Sequence, residues 1–266
     1  MNILNSLKED LNKIRENKPL IHHMTNQVVM NDSANITIGI GASPVMSHSK
    51  EEVEEMVSIS SSLLLNIGTL DNNFMKSMLL AGKKATEMNI QILLDPVGAG
   101  ATKYRTKSAK KILDNTNISI IKGNAGEISA LHGLTGKVKG VESDVQNKEG
   151  IEEMAKELSK KYKATVTVTG KTDIITNENK TKKIDNGVEM LGNITGSGCM
   201  LGSIIASFIA VNNDPFLASL EGLIAYEISA EASSKNSDGP GDFRKNLLNE
   251  IFNLKIDNIN QDIKIR

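Results

Sequence analysis

A glycine-rich loop beside a thiol is the part of this chain that most clearly suggests chemistry. Residues 192–199 read Gly-Asn-Ile-Thr-Gly-Ser-Gly-Cys, lead into the apolar segment 200–210 and contain the only cysteine, Cys199. Glycines let a backbone approach an anion closely, and the first N–H groups of a helix lack partners within it. The loop therefore predicts a helix N-terminus that can hold a phosphate, although a simple helix cap explains the octapeptide equally well on its own.

Other loops combine glycine with a polar side chain directly after a predicted strand. They are Asp95 before residues 96–100, Lys122 before residues 123–127, and Thr169 before Gly170 and Lys171. In an open parallel sheet, ligands bind outside the carboxyl ends of the strands. These loops should therefore meet the cysteine loop at one edge of the sheet.

The residue types in these loops suit the binding of a phosphorylated ligand. Asp95 and Glu127 offer the oxygen ligands that Mg²⁺ prefers, and Lys122 offers a cation for phosphate. Each has a plainer interpretation, since Asp95 could be a turn carboxylate before proline and Lys122 a solvated loop residue. Together they favour phosphoryl transfer, which depends on positioning and charge stabilisation. The chain has no P-loop motif, no protein-kinase signature and no Gly-x-Gly-x-x-Gly in residues 95–100.

Short apolar runs alternate with amphipathic segments, and this alternation predicts an α/β fold with a parallel sheet. We expect strands at residues 19–24, 62–68, 90–96, 118–121 and 164–170, a short extended segment at 42–46, and an edge hairpin at 173–177 and 182–185. Helices are expected at residues 3–14, 26–40, 51–57, 74–81, 103–113, 127–131, 151–162 and across 197–252. The polar tail after Ile256 is either an edge segment or frayed.

Composition narrows the class of protein. The chain has 266 residues, 31 Lys and Arg against 32 Asp and Glu, and one cysteine, so we expect one domain spanning 1–266, no internal disulfide and neither nucleic acid nor an anionic membrane as main partner. The N-terminus has early charges and no signal-peptide core, and no apolar run reaches about 18 residues. These features predict a cytoplasmic protein.

Motifs in order along the chain resemble the hydroxyethylthiazole kinase family within the ribokinase-like superfamily. Residues 124–127, Asn-Ala-Gly-Glu, fit the superfamily's Asn-x-x-Glu motif, and residues 196–199 lie where its members carry Gly-x-Gly-Asp. The match extends through 22–26, 41–46, 95–100 and 192–199. The resemblance implies a three-layer ribokinase-like fold and ATP- and Mg²⁺-dependent phosphorylation of the primary alcohol of 4-methyl-5-(2-hydroxyethyl)thiazole, a salvage step for thiamine. It also implies a homotrimer with active sites between subunits.

The resemblance also implies roles for individual residues. Those roles are thiazole binding by Met46, Gly196 and Asn26, ATP binding by Lys122, Thr169, Asn124 and Gly198, magnesium binding by Asp95 and Glu127, and proton transfer by Cys199. Cysteine departs from the superfamily's Asp, and we expect the helix N-terminus to lower the pKa of the thiol while bound ATP opposes that shift. Cys199 could instead only position the hydroxyl, or be a small buried helix residue.

Other interpretations stay open at this point. His22 and His23 are adjacent in a predicted strand and point to opposite faces, so they should not share a metal ion. Met24 and Met30 are ordinary core residues unless they line an apolar pocket. Alternative functions are a kinase for a pyrimidine or pyridine alcohol, a nucleotide-dependent hydro-lyase of the same fold, and a nucleotide-binding module without turnover.

Overall fold

The computed structural model describes residues 3–133, 148–256 and 263–266, and within these ranges an eight-stranded sheet lies between two layers of helices. The strands are β1 (Leu20–Met24), β2 (Ser43–Val45), β3 (Ser62–Asn66), β4 (Gln91–Asp95), β5 (Ile120–Asn124), β6 (Thr165–Thr169), β7 (Asp173–Thr176) and β8 (Thr181–Ile184). Their order is β2-β1-β3-β4-β5-β6-β7-β8. Strands β2 through β6 are parallel, whereas β7 and β8 pair antiparallel at one edge. The α/β fold and the edge hairpin predicted from the sequence are confirmed.

The helices cover both faces of the sheet. In the described ranges they are α1 (Ile3–Asn17), α2 (Met30–Ile40), α3 (Val53–Ser58), α4 (Asn72–Glu87), α5 (Lys103–Asn115), α6 (Ala125–His132), α7 (Lys148–Tyr162), α8 (Ser197–Ile209), α9 (Pro215–Lys235) and α10 (Pro240–Phe252), with a 3₁₀ turn at Glu189–Asn193. One core contains buried residues of α1, α2, α8, α9 and α10, and the other contains residues of α3 to α7. The result is the three-layer architecture that the family resemblance implies.

The central strand β3 is apolar over residues 63–65 because both of its faces are covered. Leu64 of β3 packs into the core beside α8, while its neighbours Leu63 and Leu65 pack into the core on the opposite face. Side chains alternate between the faces of a strand, so a strand covered on both sides favours a continuous apolar run over an alternating one.

Two predicted helix starts are wrong for the same physical reason. Helix α2 begins at Met30 rather than at residue 26, because the Asn26 side chain accepts the N–H groups of Val28 and Val29 and holds these residues in a turn. Helix α6 begins at Ala125 rather than at residue 127, because Asn124 caps it. Asparagine competes for backbone donors in this way at turns and helix starts.

The segment 197–252, predicted as helical throughout, is divided into three helices. Asp214 caps α9 by accepting the N–H groups of Phe216 and Leu217, and proline stands at the start of both α9 and α10. The tail forms an edge segment at residues 263–266, where Lys183 and Arg266 exchange two backbone hydrogen bonds of 2.9 Å. Residues 257–262 of that tail lie outside the described residues.

Within the described ranges, no helix has both the length and the apolar sequence that spanning a membrane requires.

Candidate active site

Polar side chains terminate four neighbouring parallel strands at one edge of the sheet. The last residues of β3, β4, β5 and β6 are Asn66, Asp95, Asn124 and Thr169. Asn66 stands opposite Asp95 in the strand register, and Asn124 stands opposite Thr169. The expected convergence of the strand-end loops is present, and Asn66 is an addition that the sequence interpretation missed.

A buried ion pair lies at the centre of this edge. Lys122 Nζ is 3.0 Å from Asp95 Oδ2 and donates to the Gly198 carbonyl at 2.8 Å, and both charged side chains are at least 96% buried. The interpretation of Lys122 as a loop residue after the strand is wrong, because Lys122 lies within β5. Its buried position requires compensation for its charge, and Asp95 supplies it.

Burial and the ion pair together determine the pKa values of Asp95 and Lys122. Burial raises the pKa of Asp95 to about 6, although the Lys122 ammonium attracts the carboxylate in its charged form. Burial works against the charge of Lys122, but the neighbouring acidic groups, Asp95 first among them, together outweigh burial and raise the pKa of the ammonium. At neutral pH the site therefore contains a carboxylate and an ammonium.

Asn66 connects Cys199 to this ion pair. Its Nδ2 donates to Cys199 Sγ at 3.2 Å and to Asp95 Oδ2 at 2.9 Å. Asn26 Nδ2 donates to the same sulfur at 3.6 Å and to Asn66 Oδ1 at 2.9 Å. The Gly68 N–H completes the set by donating to Asn66 Oδ1 at 3.0 Å. The thiol is thus held by two amide donors that are themselves fixed.

The expected lowering of the pKa of Cys199 is wrong. Burial, followed by the charge of Asp95, raises the pKa of the thiol to about 11, although Lys122 and both asparagines act in the opposite direction. Only 9% of Cys199 is exposed. A buried thiol next to a carboxylate keeps its proton at neutral pH even when it lies at a helix N-terminus.

Helix α8 begins with the open N-terminus that the glycine loop predicts. Gly196 precedes it with φ of 86°, and no side chain caps the helix. A β-carbon at Gly196 would lie 2.4 Å from Val29 Cγ1, so the loop passes close to the turn before α2. Tyr226 donates to the Ser197 carbonyl at 2.8 Å from the far side. The terminus is rigidly held, and its field favours an anion.

Glu127 lies in a capping box rather than beside Asp95. One oxygen accepts the Asn124 N–H at 2.9 Å and the other accepts the Gly98 N–H at 2.8 Å, while Asn124 caps Glu127 N in return. Glu127 acts on Asp95 through its charge. In the described ranges no group of three or more His, Cys, Asp or Glu residues could hold a metal by itself. Asp95 and Glu127 supply oxygen atoms of the kind that Mg²⁺ prefers, and an ion held there would need phosphate oxygens and water as its other ligands.

A small cavity of about 120 Å³ lies at the other end of the site. It is lined by His23, Thr25, Gln27, Met30, Met46, His48, Thr69, Asp71 and Phe74. Met46, expected to bind thiazole, and Met30 supply apolar walls. Buried His23 Nδ1 and Thr25 Oγ1 have no hydrogen-bond partner within the described part of the chain.

The two histidines of β1 contact different partners. His22 donates from Nε2 to the Ser47 carbonyl at 2.7 Å, whereas His23 Nε2 contacts Thr37 Oγ1 at 3.2 Å. Burial, reinforced by His22, lowers the pKa of His23 to about 3, so His23 is neutral. Since the Thr37 hydroxyl donates to the Ser33 carbonyl at 2.7 Å, it accepts from His23, and Nδ1 keeps its lone pair.

Comparison with known proteins identifies the family to which this chain belongs. The model of the Hydroxyethylthiazole kinase family matches residues 11–257. The chain belongs to this family. A hydroxyethylthiazole kinase from Thermoanaerobacter pseudethanolicus (strain ATCC 33223 / 39E) is 50% identical over 260 residues, which are 97% of this chain and 98% of that relative. The resemblance found in the sequence motifs is confirmed.

Solved structures agree with the family and the fold. A hydroxyethylthiazole kinase protein from Pyrococcus horikoshii OT3 superposes with a TM-score of 0.91 at 37% identity, covering 98% of each chain. A ribokinase-like superfamily protein from Enterococcus faecalis V583 has a TM-score of 0.67 at 12% identity, covering 92% of this chain and 93% of that one. The second similarity concerns the fold alone, and it supports the ribokinase-like architecture.

Asn66 could have been found from the sequence by the logic that found Asp95. It is a polar residue after the apolar run 62–65, but Ile67 extends the run and led to a strand expected through residue 68. The structure ends β3 at Asn66. No sequence signal marks Tyr226, whose hydroxyl reaches Ser197 from within a fully buried stretch of α9.

Proposed function

We propose that this member of the hydroxyethylthiazole kinase family transfers the γ-phosphoryl group of ATP to the primary alcohol of 4-methyl-5-(2-hydroxyethyl)thiazole, a salvage step for thiamine. The observation that carries the proposal is the position of Cys199 Sγ, held by Asn26 and Asn66 at the open N-terminus of α8. An alcohol held at the thiol faces an anion-binding helix terminus. That is the geometry required for phosphoryl transfer to a hydroxyl.

In this proposal Cys199 holds the hydroxyl rather than removing its proton at the start. The raised pKa leaves the thiol protonated, so its sulfur lone pairs accept a hydrogen bond from the alcohol. The alcohol oxygen attacks the γ-phosphorus as the bond to the ADP oxygen breaks. Because such transition states are loose, the hydroxyl proton can leave late and pass to an oxygen of the transferred phosphoryl group, and no strong base is needed.

The remaining residues of the site bind the nucleotide and its metal. Lys122 fixes the Gly198 carbonyl and brings positive charge beside the helix terminus. ATP would also contact Thr169 and Asn124, the last residues of β6 and β5. Asp95 and Glu127 would hold Mg²⁺, which when bound neutralises charge on the phosphate oxygens. The thiazole would bind to Met46, Gly196 and Asn26. Of these residues, Met46 lines the cavity that also contains His23 and Thr25.

The decisive experiment is a product assay with purified protein, Mg²⁺ and ATP. We expect ADP and the thiazole phosphate in equal amounts, and faster turnover than with a hydroxymethylpyrimidine or a pyridine alcohol. Phosphorylation of the pyrimidine alcohol alone would contradict the substrate assignment. Nucleotide consumption coupled to dehydration would favour a hydro-lyase, and tight ATP binding with no transfer to any alcohol would favour a binding module.

We also propose a homotrimer with active sites between subunits and a cytoplasmic location. Val28, two residues after Asn26, is 65% exposed, and Ile38 near the end of α2 is 57% exposed. Apolar side chains exposed beside a site suit coverage by a second copy. Sedimentation equilibrium measures the assembly directly, and a monomer at assay concentration would contradict it.

A further inference from the structure

Arg105 holds together the two turns that carry Asn66 and Asp95. From helix α5, its Nη1 donates to the Val97 carbonyl at 2.8 Å and to the Ile67 carbonyl at 3.2 Å, and its Nη2 donates to the Gly68 carbonyl at 2.6 Å. Residues 67 and 68 follow β3, and residue 97 follows β4. One planar guanidinium therefore joins two turns directly beneath the site.

Single peptide groups link the hydrogen bonds of Arg105 to Asn66 and Asp95, the residues beside the Cys199 thiol. Gly68 gives its carbonyl to Arg105 and its N–H to Asn66 Oδ1, and Asn66 Nδ2 donates to Cys199 Sγ. In the second turn, Val97 gives its carbonyl to Arg105 and its N–H to the Asp95 carbonyl at 2.9 Å. A movement of the guanidinium would thus shift Asn66 through Gly68 and Asp95 through Val97.

Glycines in these two turns allow close contacts with Arg105 and Asn26. Gly98 has φ of 77°, and a β-carbon there would lie 3.0 Å from Arg105 Cδ. A β-carbon at Gly68 would lie 2.7 Å from Asn26 Nδ2. Glycine permits both close approaches, so Arg105 lies under one turn and Asn26 packs against the other.

The position of Arg105 is not what helix stability favours. It lies in the first turn of α5, where the Thr102 hydroxyl accepts its N–H at 3.2 Å. A cation at a helix N-terminus opposes the helix dipole, and a Lys or Glu would suit the helix at least as well in propensity. Only the fork of the guanidinium reaches carbonyls of two turns at once.

We propose that Arg105 is a positioning residue for phosphoryl transfer, acting through Gly68 and Val97 to fix Asn66 and Asp95 against Cys199. It contacts no reacting atom, so its loss should lower kcat more than it raises KM for the alcohol. This inference rests on the proposed function for its kinetic readout. The accessibility of Cys199 to iodoacetamide provides a second readout that needs no substrate.

The experiment compares Arg105→Ala with two variants on the same helix. Lys107→Ala removes an exposed side chain, and Leu113→Ala destabilises α5 at its far end, where Leu113 is buried in the core. We expect Arg105→Ala to lose at least tenfold in kcat with less than a threefold change in KM, and Cys199 alkylation at pH 8 to become at least fivefold faster. Millimolar ethylguanidinium should restore kcat, whereas ethylammonium should not.

Three results would overturn the proposal: kcat of Arg105→Ala within twofold of the parent, equal losses in Leu113→Ala, or no rescue by ethylguanidinium. If Arg105→Ala does not fold, Arg105→Lys carries the test, because an ammonium keeps the charge but cannot span three carbonyls, and it should show the same kcat loss and faster alkylation. A parent protein without kinase activity would contradict the proposed function instead. The alkylation comparison would then still decide the role of Arg105.

Discussion

The Asn66 amide has the greatest number of contacts among the strand-end side chains of the site. It touches Cys199, Asp95, Asn26 and Gly68 at once. We expect Asn66→Ala to lower kcat by roughly 10²-fold, the loss typical of removing one preorganised donor, because the thiol and the carboxylate lose a shared partner. Steady-state kinetics with saturating ATP measures this change.

Asn73→Ala is the matched control for that substitution. Asn73 is an exposed asparagine in the first turn of α4, so its replacement should leave kcat and the unfolding temperature unchanged. Unaltered kcat in Asn66→Ala would contradict the role given to this amide. A loss confined to KM would mean that Asn66 serves only to bind the alcohol.

The state of the Cys199 thiol can be measured without substrate. Since burial and Asp95 raise its pKa to about 11, the thiolate fraction at pH 7 is small and should rise about tenfold per pH unit up to that pKa. We expect the rate of alkylation by iodoacetamide to increase log-linearly from pH 7 to pH 9. The mass shift reports on Cys199 alone because the chain has one cysteine. A plateau below pH 8 would instead indicate a thiolate poised to accept a proton.

At the level of elements, the strand ends were the most predictable part of the site. Apolar runs followed by Asp95 or Thr169 placed both residues at one edge, and the structure brings them there. The sequence places Lys122 in the loop after residue 121 instead of within β5, because a lysine inside a buried strand looks implausible until its partner on the neighbouring strand, Asp95, is known. The pKa of Cys199 could not be predicted either, since helix position is visible in a sequence and burial against Asp95 is not.

The start of helix α8 depends on a glycine that no other residue can replace without strain. Gly196 has φ of 86°, and a β-carbon there would lie 2.4 Å from Val29 Cγ1. We expect Gly196→Ala to lower the free energy of unfolding by at least about 1–2 kcal/mol, the cost of a left-handed conformation for an L-residue. It should also lower kcat, because the anion-binding terminus shifts. Urea unfolding and steady-state kinetics measure the two effects.

Gly192→Ala tests whether the effect of Gly196→Ala depends on the position of that glycine or follows from replacing any glycine of this loop. Gly192 lies in the same loop, in the 3₁₀ turn, and a β-carbon there would meet nothing within 4 Å. Its substitution should change the free energy of unfolding by less than about 0.5 kcal/mol. Equal effects of the two substitutions would show that the contact between Gly196 and Val29 does not shape the site.

Across the whole molecule, buried carboxyl groups dominate the expected response to pH. Burial raises the pKa of Asp173 to about 7, of Glu221 to about 8 and of Glu227 to about 9, in each case with a neighbouring carboxylate adding to the effect. Asp173 and Glu227 lie near each other at the active-site edge of the sheet, while Glu221 shares Asn212 with Asp10 of α1. These groups hold protons in the folded protein that the unfolded chain would release.

Stability should therefore fall as the pH rises from about 5 to 9. In this range the folded state binds more protons than the unfolded chain, whose carboxyl pKa values are about 4, and the free energy of unfolding then decreases with pH. Glu227→Gln keeps a neutral side chain of the same shape beside Gly187 and removes one such proton. We expect it to reduce the decline by up to about 1.4 kcal/mol per pH unit below pH 9. Urea unfolding at pH 6, 7.5 and 9 measures this slope, with Glu16→Gln on the exposed side of α1 as the unchanged control. Parallel curves for the parent and Glu227→Gln would mean that Glu227 is ionised in the folded protein over this pH range and does not contribute to the decline.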